Sequence, residues 1–170
     1  MAHHKIALLA DTHGILREEV VQKIKDCEVI FHAGDFGGPE IMERLQQIAP
    51  VYMARGNNDK EWAKDMPYFV REQIGNRTFY MCHKKQDLPD ELGKVDFVIC
   101  GHSHKYELKQ EGSICYINPG SCGPRRFHQP ITFAILYFED EAADYRIEKI
   151  DLSPALTKEN AKNDVKGVLG

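Results

Sequence analysis

Apolar residues come in short runs along this chain, and most of the runs close on glycine or on a polar residue. Lys5–Ala10 (KIALLA), Glu28–Ala33 (EVIFHA) and Val51–Ala54 (VYMA) read as short buried strands. Between them the period changes. Leu16, Val20, Val21 and Ile24 recur at helical spacing within residues 16–26, and Pro39 opens a second helix with Ile41, Met42, Leu45 and Ile48 along one side. The first 55 residues therefore predict βαβαβ, a parallel sheet with helices on its faces. The second half changes character. Tyr68–Ile74, Thr78–Cys82, Val95–Cys100, Tyr106–Lys109, Ser113–Ile117, Ile131–Phe138 and Tyr145–Ile150 all read as strands, with Gly75-Asn76 and Glu111-Gly112 as hairpin turns. Ser153–Gly170 is polar and weakly patterned, a helix fragment or frayed tail. With no repeat and no linker, residues 1–170 predict one domain whose core spans about 5–150.

Composition narrows the function classes. At 42% hydrophobic the chain can bury a core, and no run is long enough to span a bilayer. The net charge of −4 argues against a surface that grips nucleic acid by bulk electrostatics. Cys27, Cys82, Cys100, Cys115 and Cys122 form no CxxC pair and read as reduced, mostly buried thiols of a cytoplasmic protein. His3 and His4 are read as preceding the first strand, outside any metal site.

The ends of the strands carry the chemistry. The first runs into ADTHG, with Asp11 and His13. The second runs into HAGDFGG, with Asp35. The third is followed by GNND, with Asn57, Asn58 and Asp59. The strand at 78–82 meets His83, and the strand at 95–100 ends in GHSH, with His102 and His104. Five candidate strands thus deliver Asp, Asn or His at their C-terminal ends, the edge where α/β sheets place sites. Residues two apart in extended backbone point the same way, so the DTH and HSH pairs each suit a shared metal. Any one of these motifs could be an ordinary turn or a helix cap. Their recurrence at strand ends is what points to a metal centre. His32, inside a strand, reads as structural. Lys84, Lys85, Arg125 and Arg126 read as solvated charge, and His128 has no assigned role.

The ordered set DxH, GD, GNxD, H, GHxH resembles the calcineurin-like metallophosphoesterase superfamily. The short length and the later INPGSCGPRRF at 117–127 resemble its small YfcE-type phosphodiesterases of bacteria and archaea. That resemblance implies a four-layer α/β/β/α sandwich, two mixed sheets flanked by helices. It implies two divalent metals, manganese foremost, with iron, cobalt, nickel or zinc as alternatives suited to a donor set of oxygen and imidazole without thiolate. Carried over, it assigns Asp11, His13, Asp35 and His104 to one metal and Asp35, Asn57, His83 and His102 to the other, so that Asp35 bridges. It makes Asp35, Asn57, His83 and His102 the catalytic set, with a metal-bridging hydroxide attacking phosphorus in line. Asn58, Lys85 and Arg125 are the candidate substrate contacts, and Asn118 with Arg125 is expected at the pocket rim.

Two departures stand out. Relatives commonly follow the His83 position with Gly-His, where this chain has Lys84-Lys85, which raises the question whether the loop can still turn. Asn58 replaces the histidine that serves as general acid in the superfamily's protein phosphatases, which fits the small phosphodiesterases. The expected activity is a phosphodiesterase acting on a small phosphate ester. Neither membrane nor nucleic acid is an expected partner, and a homo-oligomer is left open. The alternatives are a metal-binding scaffold like the retromer subunit of the same fold, or a nuclease, whose relatives carry DNA-gripping additions that this chain lacks.

Overall fold

The computed structural model describes residues 3–126 and 128–154. Two five-stranded mixed sheets stack face to face. In the first, β1 (His3–Leu9), β2 (Val29–His32) and β3 (Val51–Met53) run parallel. Beside β1 lie the antiparallel β9 (Thr132–Glu139) and β10 (Tyr145–Asp151), giving the order β10-β9-β1-β2-β3. In the second, β5 (Arg77–Cys82), β6 (Phe97–Ile99) and β8 (Ile114–Asn118) are parallel. Antiparallel β4 (Phe69–Ile74) and β7 (Glu107–Glu111) form the edges, in the order β4-β5-β6-β8-β7.

Alternation along the strands builds the layers. Ile6, Leu8 and Phe31 of the first sheet meet Phe79, Met81, Phe97 and Ile99 of the second. Their neighbours Ala7, Leu9, Ile30 and Phe133 face outward, onto α1 (Glu18–Ile24) and α2 (Pro39–Gln46) through Val20, Ile24, Ile41 and Leu45. The central strands β1 and β2 are therefore buried on both faces, as the largely apolar runs KIALLA and EVIFHA require.

The outer face of the second sheet is covered differently. Cys82, Val95, Val98 and Cys100 pack under Leu88 and Leu92, from a segment whose regular structure is one 3-10 turn at Lys85–Asp87. A helix was expected in this fourth layer, but Pro89 and Gly93 interrupt the stretch, and both disfavour helix interiors. The Gly75-Asn76 turn joins β4 to β5 as expected, whereas the later hairpin turns at Gly112-Ser113, one residue beyond the expected pair. All five cysteines are buried and free. Among the described residues no helix is long and apolar enough to cross a membrane. Of the expected tail, residues 155–170 lie outside the described residues.

His3 and His4 lie inside β1 rather than before it. His4 is buried and sits between two carboxylates, Glu28 on its Nδ1 and Asp140 at 3.0 Å from its Nε2. Burial alone would lower its pKa, but the two carboxylates outweigh that and raise it above 6.5. A raised pKa contributes stability below the unfolded-state value, and this is lost as pH rises through the folded-state value. Urea unfolding of wild type and His4→Gln should therefore show a stability gap that is full below pH about 6.5 and shrinks at higher pH. A gap of constant size would show that His4 does not act through its charge.

Candidate metal centre

The C-terminal ends of the parallel strands of both sheets meet at one edge, and five loops converge there. The loops after β1 and β2 are laced together by backbone bonds from Asp11 N–H to Gly34 O (3.0 Å), His13 N–H to Asp35 O (3.0 Å) and Gly14 N–H to Phe36 O (2.8 Å). Gly101 N–H donates to His83 O at 2.9 Å and ties the loop after β6 to the loop after β5. His102 N–H donates to Asp11 Oδ2 at 2.9 Å and links the two sheets.

Asp11, His13 and His104 form one cluster and Asp35, His83 and His102 a second, each with donor atoms within 4.8 Å of one another. Asp35 stands between them, its Oδ2 3.2 Å from His83 Nε2 and 3.7 Å from His13 Nε2. The two histidines of HSH do not share a cluster, nor do they lie in extended backbone. His102 and His104 both adopt left-handed conformations (φ 76° and 63°), as do Asp11, His13 and Asp35 (54°, 44° and 61°). The chain therefore turns between Gly101 and His104, and same-face alternation does not apply. Left-handed backbone costs a side-chain-bearing residue about 1–2 kcal/mol. Five such residues at one edge mark a site whose geometry is imposed by its surroundings.

The donor atoms fit cations. Asp11 Oδ1 and His83 Nε2 are buried without a hydrogen-bond partner, an expensive state unless an ion completes it. His13 Nε2 and His104 Nε2 face each other at 3.2 Å, and Asp11 Oδ1 lies 3.5 Å from the latter. His83 Nδ1 lies 2.7 Å from the Ala33 carbonyl, to which it donates, so Nε2 is the nitrogen that points inward. Burial alone would lower the His83 pKa, but the adjacent Asp35 and Asp11 carboxylates raise it. Burial also opposes ionisation of Asp35, yet His83 and the donors of Asn58 hold its carboxyl well below the usual carboxylate range.

Asn57 is exposed and lines a cavity with His83. Asn58, expected near substrate, is exposed and bonds Asp35, giving its backbone N–H to Oδ1 (2.9 Å) and its amide to Oδ2 (3.0 Å). Lys84 has φ −108° and ψ 128°, extended backbone open to any residue, so the loop turns without a glycine there and His83 still enters its cluster. Lys85 lines a cavity with His102, its ammonium 5.7 Å from the Tyr116 ring centroid. Arg125 lines neither of these cavities. Its neighbour Arg126 is the arginine whose charge acts on His104, where burial is the main cause of a lowered pKa. His32 is structural. Gly34 N–H donates to its Nδ1 and its Nε2 meets Thr12 Oγ1 at 3.0 Å, while burial pulls its pKa down to about 3.

Three supporting residues were not picked out from the sequence as such. Asp59 accepts N–H bonds from Asp35 (2.8 Å), Phe36 (2.9 Å) and Gly56 (2.8 Å). Ser121 Oγ donates to Asp11 O at 2.7 Å. Asn118 gives its amide to Gly101 O and Ser103 Oγ, both at 3.0 Å, and so braces the GHSH loop. A G-N-x-D spacing is the one hint of the Asp59 role. Gly34 and Gly56 are required by the same packing. A Cβ on Gly34 (φ +103°) would lie 2.8 Å from His83 Nδ1, and one on Gly56 would lie 2.2 Å from Asp35 Oδ1.

Two stacked mixed sheets with clustered Asp and His at their shared edge define a metallophosphoesterase domain. The chain belongs to the calcineurin-like phosphoesterase superfamily, whose domain model matches residues 5–141. A probable metallophosphoesterase of Methanothermobacter thermautotrophicus is 28% identical over 157 residues, covering 84% of this chain and 90% of the relative. An archaeal phosphodiesterase superposes with a TM-score of 0.65 at 24% identity, over 86% of this chain and 99% of the other. Vps29 of Entamoeba histolytica, complexed with zinc, superposes with a TM-score of 0.69 at 20% identity, over 86% and 98%. At such identities the superpositions speak for the fold alone.

Proposed function

We propose that this protein is a dinuclear metal-dependent phosphodiesterase. The observation that carries the reading is the pair of donor clusters that meet at Asp35. Asp11, His13, Asp35 and His104 would hold one divalent ion, and Asp35, Asn57, His83 and His102 the other. The oxygen and imidazole donors suit manganese. Bound there, the ions would supply Lewis acidity toward phosphoryl oxygens and lower the pKa of coordinated water. The chain's own residues orient the site. Ala33 O fixes the His83 ring, Asn58 fixes the Asp35 carboxylate, and Asp59 fixes the backbone of both loops.

Two cavities favour a diester over a monoester. One, of about 210 Å³, is lined by Lys85, His102, Ser103, Tyr116 and Asn118. The other, of about 230 Å³, is lined by Arg55, Asn57, Tyr68, His83 and Lys84. Each borders a histidine of the second cluster, so a phosphorus seated between them has room for a substituent on either side. The five free, buried thiols suit a reducing, cytoplasmic setting.

Asn58 is an amide already committed to Asp35, and it cannot protonate a departing alkoxide. A positioned acid contributes about 10²–10⁴-fold to such a step. The protein dialysed against manganese should carry two ions per chain and hydrolyse bis(p-nitrophenyl) phosphate. kcat/KM should fall steeply across aryl and alkyl diesters as the leaving-group pKa rises. The likeness to Vps29, a vacuolar protein sorting protein, carries a scaffold as the second reading. One Vps29 is itself complexed with zinc, so metal content alone does not separate the two readings. Two bound ions without turnover on any diester would decide for the scaffold.

A further inference from the structure

Two neighbouring aromatic side chains stand in the open beside the metal centre. Tyr68 is 55% and Phe69 47% exposed, and they are two of the four large hydrophobic residues exposed among the described residues. The β4–β5 register pairs Phe69 with Cys82, which places Tyr68 opposite His83. Both aromatics line the cavity of about 230 Å³ that His83 also walls. Arg55 is fixed there, donating from Nε to Asp59 O (2.9 Å) and from Nη2 to Lys60 O (3.1 Å). Its guanidinium lies 5.3 Å from the Tyr68 ring centroid. Lys84 and Asp87 give the rim one charge of each sign.

Nothing in the packing of the sheet calls for these rings to be exposed. A core role would bury them, and a purely solvated edge is ordinarily polar or charged. An exposed ring beside an immobilised guanidinium is the arrangement that binds flat π-systems, by stacking and by cation–π attraction. Since His83 lines the same cavity, a ring held here is within one short linker of a phosphate at the metal centre. We infer that this cavity is a subsite for an aromatic base carried on the phosphoester, so that the substrate class is nucleotide-type phosphodiesters. Tyr68 supplies the stacking face, Arg55 holds the ring's plane, and the Lys85–Tyr116 cavity takes the other ester substituent. This assignment rests on the phosphodiesterase reading above.

The test compares adenosine 5′-monophosphate with ribose 5-phosphate, which differ by the base. Both are measured as competitive inhibitors of bis(p-nitrophenyl) phosphate hydrolysis and, separately, by calorimetric titration of the manganese-loaded protein. The base should tighten binding about tenfold, within the range that one stacked base supplies. Tyr68→Ala should bring the ratio of the two affinities close to one, and Tyr68→Phe should keep it. Tyr68 is exposed, so neither change threatens the fold. Equal affinities in wild type, or a ratio that Tyr68→Ala leaves unchanged, would overturn the subsite; the latter result would turn the exposed rings into a contact for another macromolecule. Calorimetry reads the subsite without turnover. A protein that binds the nucleotide tenfold tighter but hydrolyses no diester keeps the base site and loses the phosphodiesterase reading.

Discussion

Asp35→Asn should lower the proposed diester hydrolysis by about 10³-fold or more, an effect at or beyond that of losing a main transition-state contact elsewhere. Three features set the size. Asp35 is 2% exposed and stands between the two donor clusters, 3.2 Å from His83 and 3.7 Å from His13. Its carboxylate is the acidic group that approaches His83 of the second cluster most closely, 3.2 Å against 3.9 Å for Asp11, while still facing His13, so neutralising it should weaken both sites at once. An amide also offers a single acceptor oxygen, where Asn58 presents two donors to the carboxylate. One Asn58 donor then faces an NH₂ group, and the side chain that replaces Asp35 has no reason to keep its orientation. Metal analysis after dialysis against manganese should show fewer than two ions per chain, alongside the lost rate. Wild-type metal content together with a wild-type rate would remove Asp35 from the centre of the mechanism. By contrast, His83→Ala should loosen one ion and spare the other.

Much of this site is legible in the sequence because strands announce their ends. KIALLA and EVIFHA are largely apolar, and the polar residues after them emerge at the sheet edge. Asp11, His13, Asp35, His83, His102 and His104 do converge there. Other features depend on backbone direction and on partners far along the chain. His102 and His104 go to different clusters although they are two apart, as Asp11 and His13 are, so the spacing alone does not tell which pairs share a cluster. The partner of Asn58, the Asp35 carboxylate, lies 23 residues back and is not visible in any local motif. The helix missing from the fourth layer could have been anticipated from Pro89 and Gly93. The two cavities could not, since they are spaces between loops rather than residues. Tyr68 and Phe69 read as the first residues of a strand, and only burial shows that they stay exposed.

Asp59→Asn should unfold the protein more readily than any ligand substitution, and it should do so without bound metal. The Asp59 side chain is buried and accepts three backbone N–H groups, from Asp35 and Gly56 on Oδ2 and from Phe36 on Oδ1. These donors belong to two different loops, the ones that follow β2 and β3. The carboxylate is therefore the pin between them, and the bonds are charge-assisted. Asparagine has nearly the same shape but one acceptor oxygen. Whichever way its amide is turned, at least one N–H meets an NH₂ group and stays buried without an acceptor. Each such loss costs about 1–3 kcal/mol, so a total near 3 kcal/mol is expected once the lost charge is included. For a chain of this size that corresponds to a Tm lower by roughly 6–12 °C, read by calorimetry on the metal-free protein. Hydrolysis should fall as well, because the Asp35 backbone is no longer held at 2.8 Å. An unchanged Tm would show that the two loops are held by their own backbone ladder, and that Asp59 only fills space between them.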